Sequence, residues 1–389
     1  MHGRNRAEHN LRLAQPAFTA ALEKKVGNYN KLVAACTARL TQFRENFTMN
    51  GTEHVPPSLP ADEIASTLEL IATVLSINSD YYTMWNFRRD LLASVIHHTA
   101  AFPLPALEGE LKTTEQCLKK SPKSYPAFHH RKHVIDLYLS HNPTAGGTLL
   151  PVELELTNTF LMSDARNFHC LNYRRFLLQC ITKLPHETFG TQLGRARYIP
   201  TAGPDSSTYS SAITTEWQFT HELISANFSN GSAYHYRAAL FPLVCELEGG
   251  GELERIGKVK EELEMCQEAY FVQPEDQSPW YYHEFLLSFM NPTTMEGKRR
   301  YVEIIMDETV GLRELIGEGG SGKLPLIALY GCLWRLEKVI GDGELGNDAS
   351  ELLKVLESVD GDKGERYVQE RSERCIAGVE ARERLSISR

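Results

Sequence analysis

Apolar and aromatic side chains recur along this chain at helical spacing, and the clusters they form recur in turn. The stretch Asn78-Ser-Asp-Tyr-Tyr-Thr-Met-Trp85-Asn-Phe-Arg88-Arg89 returns as Ser121-Pro-Lys-Ser-Tyr-Pro-Ala-Phe128-His-His-Arg131-Lys132 and as Asp164-Ala-Arg-Asn-Phe-His-Cys-Leu171-Asn-Tyr-Arg174-Arg175. It returns again as Asn227-Phe-Ser-Asn-Gly-Ser-Ala-Tyr234-His-Tyr-Arg237-Ala238 and as Gln273-Pro-Glu-Asp-Gln-Ser-Pro-Trp280-Tyr-Tyr-His283-Glu284. The bulky anchors Trp85, Phe128, Leu171, Tyr234 and Trp280 are separated by 43, 43, 63 and 46 residues. A period in the forties marks an array of supersecondary units, each too small to bury its own apolar face.

Six and seven residues past each anchor stand Leu91-Leu92, Val134-Ile135, Leu177-Leu178, Leu240-Phe241 and Leu286-Leu287. Anchor, +3, +6 and +7 share one face of an α-helix. Four residues before the anchor stand Tyr81, Ser124, Asn167, Asn230 and Asp276, a column of N-cap character. Pro126 and Pro279 fall in the first turn, where a missing N–H costs little. Arg88, Arg131, Arg174, Arg237 and His283 stand at +3, placed to reach the neighbouring helix and bond its orphan carbonyls.

A further amphipathic stretch precedes each motif, at 61–78, 107–121, 150–163, 212–227 and 254–272. Each unit therefore reads helix, short polar turn, helix. The expected fold class is all-α, a right-handed α-α superhelix (solenoid) of stacked antiparallel helix hairpins, with the anchors as inter-repeat core. Three regions follow. Residues 1–60 make an N-terminal arm with a long helix over about 14–46. Residues 61–316 hold five to six hairpins, with a loop insertion at 190–211 that accounts for the long step. Residues 317–389 complete a degenerate repeat and the final helices. The sixth pair is expected at 299–316 and 324–340, split by Gly-rich 317–322, and a last helix at 349–383. Breaks are expected at 49–60, 141–147, 249–251 and 341–348.

Composition narrows the partners. The 389 residues carry 41 Lys+Arg against 50 Asp+Glu, a net charge of −9. An acidic chain lacks the clustered cations that bind phosphate backbones, so nucleic acid is not an expected partner. No apolar run approaches the ~18 residues that span a bilayer, and Met1-His2-Gly3-Arg4-Asn5-Arg6 leads into a charged stretch without an apolar h-region, so no signal peptide is expected. Cys36, Cys117, Cys170, Cys180, Cys245, Cys266, Cys332 and Cys375 include no CxxC pair and read as reduced, buried small apolar residues. Asn-x-Ser/Thr sites at Asn46, Asn50, Asn227 and Asn230 matter only in a secreted chain. The expected localisation is cytoplasmic. Gly317-Glu-Gly-Gly-Ser-Gly322-Lys323 matches GxxxxGK, but Leu324 replaces the magnesium-binding Ser/Thr and Pro325 follows, so the glycines read as a turn.

The repeats resemble those of protein prenyltransferase α subunits over roughly 60–300. That family's repeat has a Trp with Arg three residues later and Asn or Asp before it. The usual Trp is replaced here by Phe128, Leu171 and Tyr234. Within the family, the stretches 227–237 and 275–283 are similar to the type II, or Rab geranylgeranyl, branch. Pro126 stands where the α subunit shared by farnesyltransferase and the type I enzyme has a Gln for a substrate carboxylate. No immunoglobulin-like or leucine-rich module of the larger members is recognisable, so a compact form is expected.

The resemblance implies a heterodimer that transfers geranylgeranyl from geranylgeranyl diphosphate to C-terminal cysteines of Rab GTPases presented by an escort protein, a reaction of vesicle transport. It places zinc in the β subunit and no metal in this chain. Pro122-Lys123-Ser124-Tyr125 keeps the family's Pro-Lys-x-Tyr wording, which implies Lys123 and Tyr125 beside the isoprenoid diphosphate. Asn167 and His169 match family positions one repeat on, while Phe168 stands for a usual Tyr. From spacing alone Lys123 reads as a solvated turn lysine, and His169 equally as a first-turn histidine. His2 is either a plain terminus or a mobile ligand visiting the partner's zinc. The alternatives are the shared α subunit of farnesyltransferase and the type I enzyme, and a non-catalytic helical-repeat scaffold.

Overall fold

The structure, a computed structural model, describes residues 16–50, 53–99, 104–182, 206–317 and 322–340. Thirteen α-helices run through them: α1 (Pro16–Glu45), α2 (Ala61–Ile77), α3 (Tyr82–His98), α4 (Leu104–Lys120), α5 (Tyr125–His141), α6 (Gly146–Ser163), α7 (Phe168–Thr182), α8 (Ser206–Ala226), α9 (Gly231–Leu247), α10 (Glu252–Val272), α11 (Gln277–Phe289), α12 (Met295–Gly317) and α13 (Lys323–Ile340). They divide between two compact units, α1–α7 and α8–α13. In the first, α1 packs on α2, the hairpins α4/α5 and α6/α7 close on themselves, and successive second helices α3, α5 and α7 stack side by side. In the second, α8/α9, α10/α11 and α12/α13 repeat that arrangement. The expected all-α hairpin architecture is what the chain adopts.

Each repeat column has the predicted burial. All five anchors are buried, as are the ten residues at +6 and +7. The two tryptophans also satisfy their indole N–H in the same way, on a carbonyl six residues back: Trp85 on Ser79 and Trp280 on Pro274, both at 2.8 Å. Three of the five N-cap residues cap. Asn167 Oδ1 accepts from Cys170 N, Asn230 Oδ1 from Ala233 N and Asp276 Oδ1 from Ser278 N. Tyr81 and Ser124 make no side-chain cap bond.

The +3 column needs a correction. Its arginines do reach carbonyls, of Leu68, Leu111, Leu154 and Trp217, but these lie inside helices and are not orphans. For four of the five residues the partner is a buried glutamate on the first helix of the next hairpin. Arg131 grips Glu153 through two bonds of 2.7 and 2.6 Å, and Arg237 grips Glu262 at 2.6 and 2.7 Å. Arg88 does the same to Glu110, and His283 Nε2 stands 3.0 Å from Glu308. The same carboxylates are held from their own hairpin by the residue at +2. His130 Nε2 lies 2.8 Å from Glu110, Tyr173 donates to Glu153 at 2.6 Å and Tyr282 to Glu262 at 2.8 Å. Tyr236 binds Glu216 likewise at 2.7 Å. Fork-shaped guanidinium–carboxylate pairing of this kind survives burial because each carboxylate oxygen finds at least one donor.

The breaks differ in detail. The 49–60 break contains an antiparallel pair of three-residue strands, Thr48–Asn50 and Glu53–Val55, with Thr48 opposite Val55. The 141–147 break shrinks to Asn142 and a single 3-10 turn, because α6 begins at Gly146. At 249–251 the chain turns through Gly249 and Gly250 at φ 121° and 68°, a region that glycine enters without a Cβ penalty. The insertion is shorter than expected, since its Ser/Thr-rich end at 206–211 opens α8. The rest of it, His2, 318–321, 341–348 and the helix expected at 349–383 lie outside the described residues.

Candidate functional site

The site grows from two turns of the first unit. Between α4 and α5 the chain turns at Ser121–Ser124, closed by Ser124 N on Ser121 O at 3.1 Å. Between α6 and α7 it turns at Asp164–Asn167 with the same bond at 3.0 Å. The second turn supports the first. Asn167 Nδ2 donates to Pro122 O at 2.7 Å, and Asp164 Oδ2 pairs with Lys123 Nζ at 2.7 Å. The hydrogen bond from Lys123 holds the Asp164 carboxyl below its ordinary range. The Lys123 side chain stays 59% exposed, so two of its three N–H donors remain for another group. Ser124 turns its hydroxyl to Ser79 O at 2.9 Å instead of capping α5. α5 thus starts beside Lys123 with no side-chain cap, and its first turn includes buried Pro126, which has no N–H to offer.

Tyr125, the first residue of α5, is 40% exposed. Its ring stacks on His129 at 6.1 Å and meets His169 edge-on at 6.1 Å. His169 lies against Phe168, ring centroids 3.9 Å apart. Tyr125, Phe128, His129, Lys132, Phe168, His169 and Asn172 line a small open hollow. Burial, and then the charges of Lys123 and Lys132, push the His169 imidazole below its ordinary value. His129 is lowered by burial and then by Arg89 and Lys132. Both rings are therefore neutral near pH 7, able to donate and accept hydrogen bonds without adding charge.

Of the sequence-predicted site residues, the fold brings Lys123, Tyr125 and His169 to one surface. It puts Asn167 beneath, 1% exposed, with its amide committed to the two turns. Asn167 is a frame for Lys123 here, not an open contact. Sequence reasoning missed Lys132, half-buried on the hollow, whose ammonium is pushed down to about 8 by burial and Arg175. The signal was present: position +4 reads Arg89, Lys132 and Arg175 in three successive repeats. Among the described residues no three metal-ligating side chains converge.

The comparisons with known proteins bear on this arrangement. The family model described as "Protein prenyltransferase alpha subunit repeat" matches residues 64–95, 107–138, 150–181 and 259–290. Those segments fall on α2/α3, α4/α5, α6/α7 and α10/α11. Among curated relatives, human "Geranylgeranyl transferase type-2 subunit alpha" is 35% identical over 230 residues, 58% of this chain and 34% of the human one. The protein of that name from Saccharomyces cerevisiae is 27% identical over 241 residues, 62% of this chain and 64% of its own. That from Schizosaccharomyces pombe is 29% identical over 237 residues, 60% of this chain and 61% of its own. The matched region thus spans about a third of the length of the vertebrate relatives. Among the described residues no helix is long and apolar enough to cross a membrane.

Proposed function

We infer, from a chain that belongs to the protein prenyltransferase alpha subunits, that it is the α half of a type II enzyme, active with a β subunit in the cytoplasm. In this reading the pair transfers geranylgeranyl from its diphosphate to C-terminal cysteines of Rab GTPases brought by an escort protein. The cysteine sulfur attacks C1 of the prenyl group, an S–C bond forms, the C1–O bond breaks, and its electron pair leaves on the diphosphate. The zinc of the reaction belongs to the β subunit.

What falls to this chain is the leaving group. One observation carries the reading: Lys123 stands exposed at the uncapped start of α5, pinned by Asp164 and framed by Asn167, in a chain 35% identical to a human type-2 α subunit. A fixed cation at the positive end of a helix stabilises charge that grows on a departing diphosphate, and it does so without reorganising at the moment of reaction. Tyr125 and neutral His169 supply hydrogen-bonding groups on the same surface.

The test is co-expression with a type II β subunit. The expected result is a stable heterodimer that prenylates Rab cysteines in the presence of escort protein and of zinc. Partnership with a farnesyltransferase β subunit, transfer that ignores the escort, or transfer by this chain alone would overturn the reading.

A further inference from the structure

The turns inside the five repeats all close on the same bond, from the N–H four residues before the anchor to the carbonyl seven before it. The residue at −7 reads Asn78, Ser121, Asp164, Asn227 and Gln273. In three repeats its side chain adds a second bond, Oδ1 accepting from the N–H two residues on. Asn78 accepts from Asp80 at 3.2 Å, Asp164 from Arg166 at 3.1 Å and Asn227 from Ser229 at 3.0 Å. The turn therefore asks for one side-chain oxygen, and asparagine supplies it as well as aspartate does.

Of the five −7 residues, Asp164 alone is charged. Its other oxygen, Oδ2, is surplus to the turn and is spent on Lys123 Nζ, 2.7 Å away. Stability does not account for that pair. Its side chains are 59% and 33% exposed, and ion pairs so well solvated add little to folding. What the carboxylate changes is the lysine. A lysine side chain is a compact charge on a flexible four-carbon stem, able to sweep the surface around it. Tied to Asp164, the ammonium works from one place, with part of its charge offset.

We propose that Asp164 is a positioning residue for prenyl transfer: it holds Lys123 where charge builds on the departing diphosphate and keeps the ammonium from clamping the diphosphate beforehand. The proposal rests on the reading of Lys123 given above. An ammonium free to move settles on oxygens that are already charged, which tightens substrate binding and leaves the barrier no lower. A held one forgoes some of that affinity and meets the leaving group without first swinging into place. The negative charge of Asp164 lowers affinity for the resting diphosphate further.

The experiment is Asp164→Asn in the purified heterodimer. The substitution keeps the Oδ1 acceptor that two other repeats use, and it sets an amide NH2 against the ammonium. Turnover should fall about ten-fold while the dissociation constant for geranylgeranyl diphosphate tightens about three-fold. In a Lys123→Ala background the same change should move turnover less than about two-fold, because nothing is left to position. Glu115→Gln breaks a pair of similar exposure with Lys119 on α4 and should change neither quantity. A lower melting temperature with turnover and affinity both weakened would make Asp164 a turn brace and overturn the proposal. Unchanged turnover in Asp164→Asn, with Lys123→Ala still impaired, sinks this inference alone. So does an equal loss from Asp164→Asn with and without Lys123. If Lys123→Ala itself leaves turnover intact, or the heterodimer transfers no prenyl group, the functional reading fails and takes this one with it.

Discussion

Lys123 works from a turn that is not its own to hold. Asp164 and Asn167, one repeat on, fix both the ammonium and the carbonyl behind it. Charge placed at the leaving group favours the transition state over bound substrate, so Lys123→Ala should cut turnover by roughly 10² while prenyl-diphosphate affinity changes far less. Steady-state kinetics on the pure heterodimer read this, and unchanged turnover would count against the role. His130 makes a second case. It is fully buried, its Nδ1 meets no hydrogen-bond partner among the described residues, and burial lowers its pKa. The unfolded chain takes up this proton near the ordinary value of 6.5, the folded chain only lower, so stability is lost as pH falls below about 6.5. Glu110, lowered to about 2 by Arg88 and His130 despite burial, adds a second loss below about 4.5. His130→Tyr should restore the tyrosine found at this column in three other repeats and flatten the first of these losses in denaturation curves recorded against pH. Much of this scale was legible in the sequence. The anchors and Lys123 sit inside the repeated wording. The glutamates do not, because each lies on the preceding amphipathic stretch, where a glutamate ordinarily faces water. Their signal was a second periodic column three residues after an apolar one: Leu107/Glu110, Leu150/Glu153, Ile213/Glu216, Val259/Glu262 and Ile305/Glu308.

Among the elements, what distinguishes one hairpin from another is how its ends and its shared carboxylate are satisfied. Removing one partner of a buried ion pair strands the other, so Glu153→Ala should cost about 3–5 kcal/mol in urea unfolding, since it orphans Arg131 and Tyr173 together. Asn230→Ala removes the cap of α9 and should cost about 1 kcal/mol. The buried hydroxyl of Tyr234 has no hydrogen-bond partner among the described residues, so Tyr234→Phe should leave stability level or slightly raised. The α8/α9 hairpin folds as the others do although the family model passes over it. Its anchor is Tyr234 in place of Trp, and a 63-residue step precedes it. Element ends were the least legible part. The Ser/Thr run at 206–211 reads as loop, yet the same residues tolerate the first turn of a helix.

For the whole molecule, the expected second subunit changes the thermodynamics. A partner that binds only the folded chain stabilises it by mass action, about 2.7 kcal/mol at a hundred times its dissociation constant. Thermal melts with and without β subunit should differ accordingly, with the shift growing with partner concentration. The shared glutamates have a consequence of their own. In the first unit Glu110 and Glu153 tie α3, α4, α5, α6 and α7 into one chain of clasps, each carboxylate clasped from two sides. Withdrawing any one hairpin would leave its neighbour with a bare charge in a dry interior. Such a stack does not fray leaf by leaf from its tip; it opens as a block, and amide exchange across α4–α7 should show one common opening rate where a simple array of repeats would show a gradient.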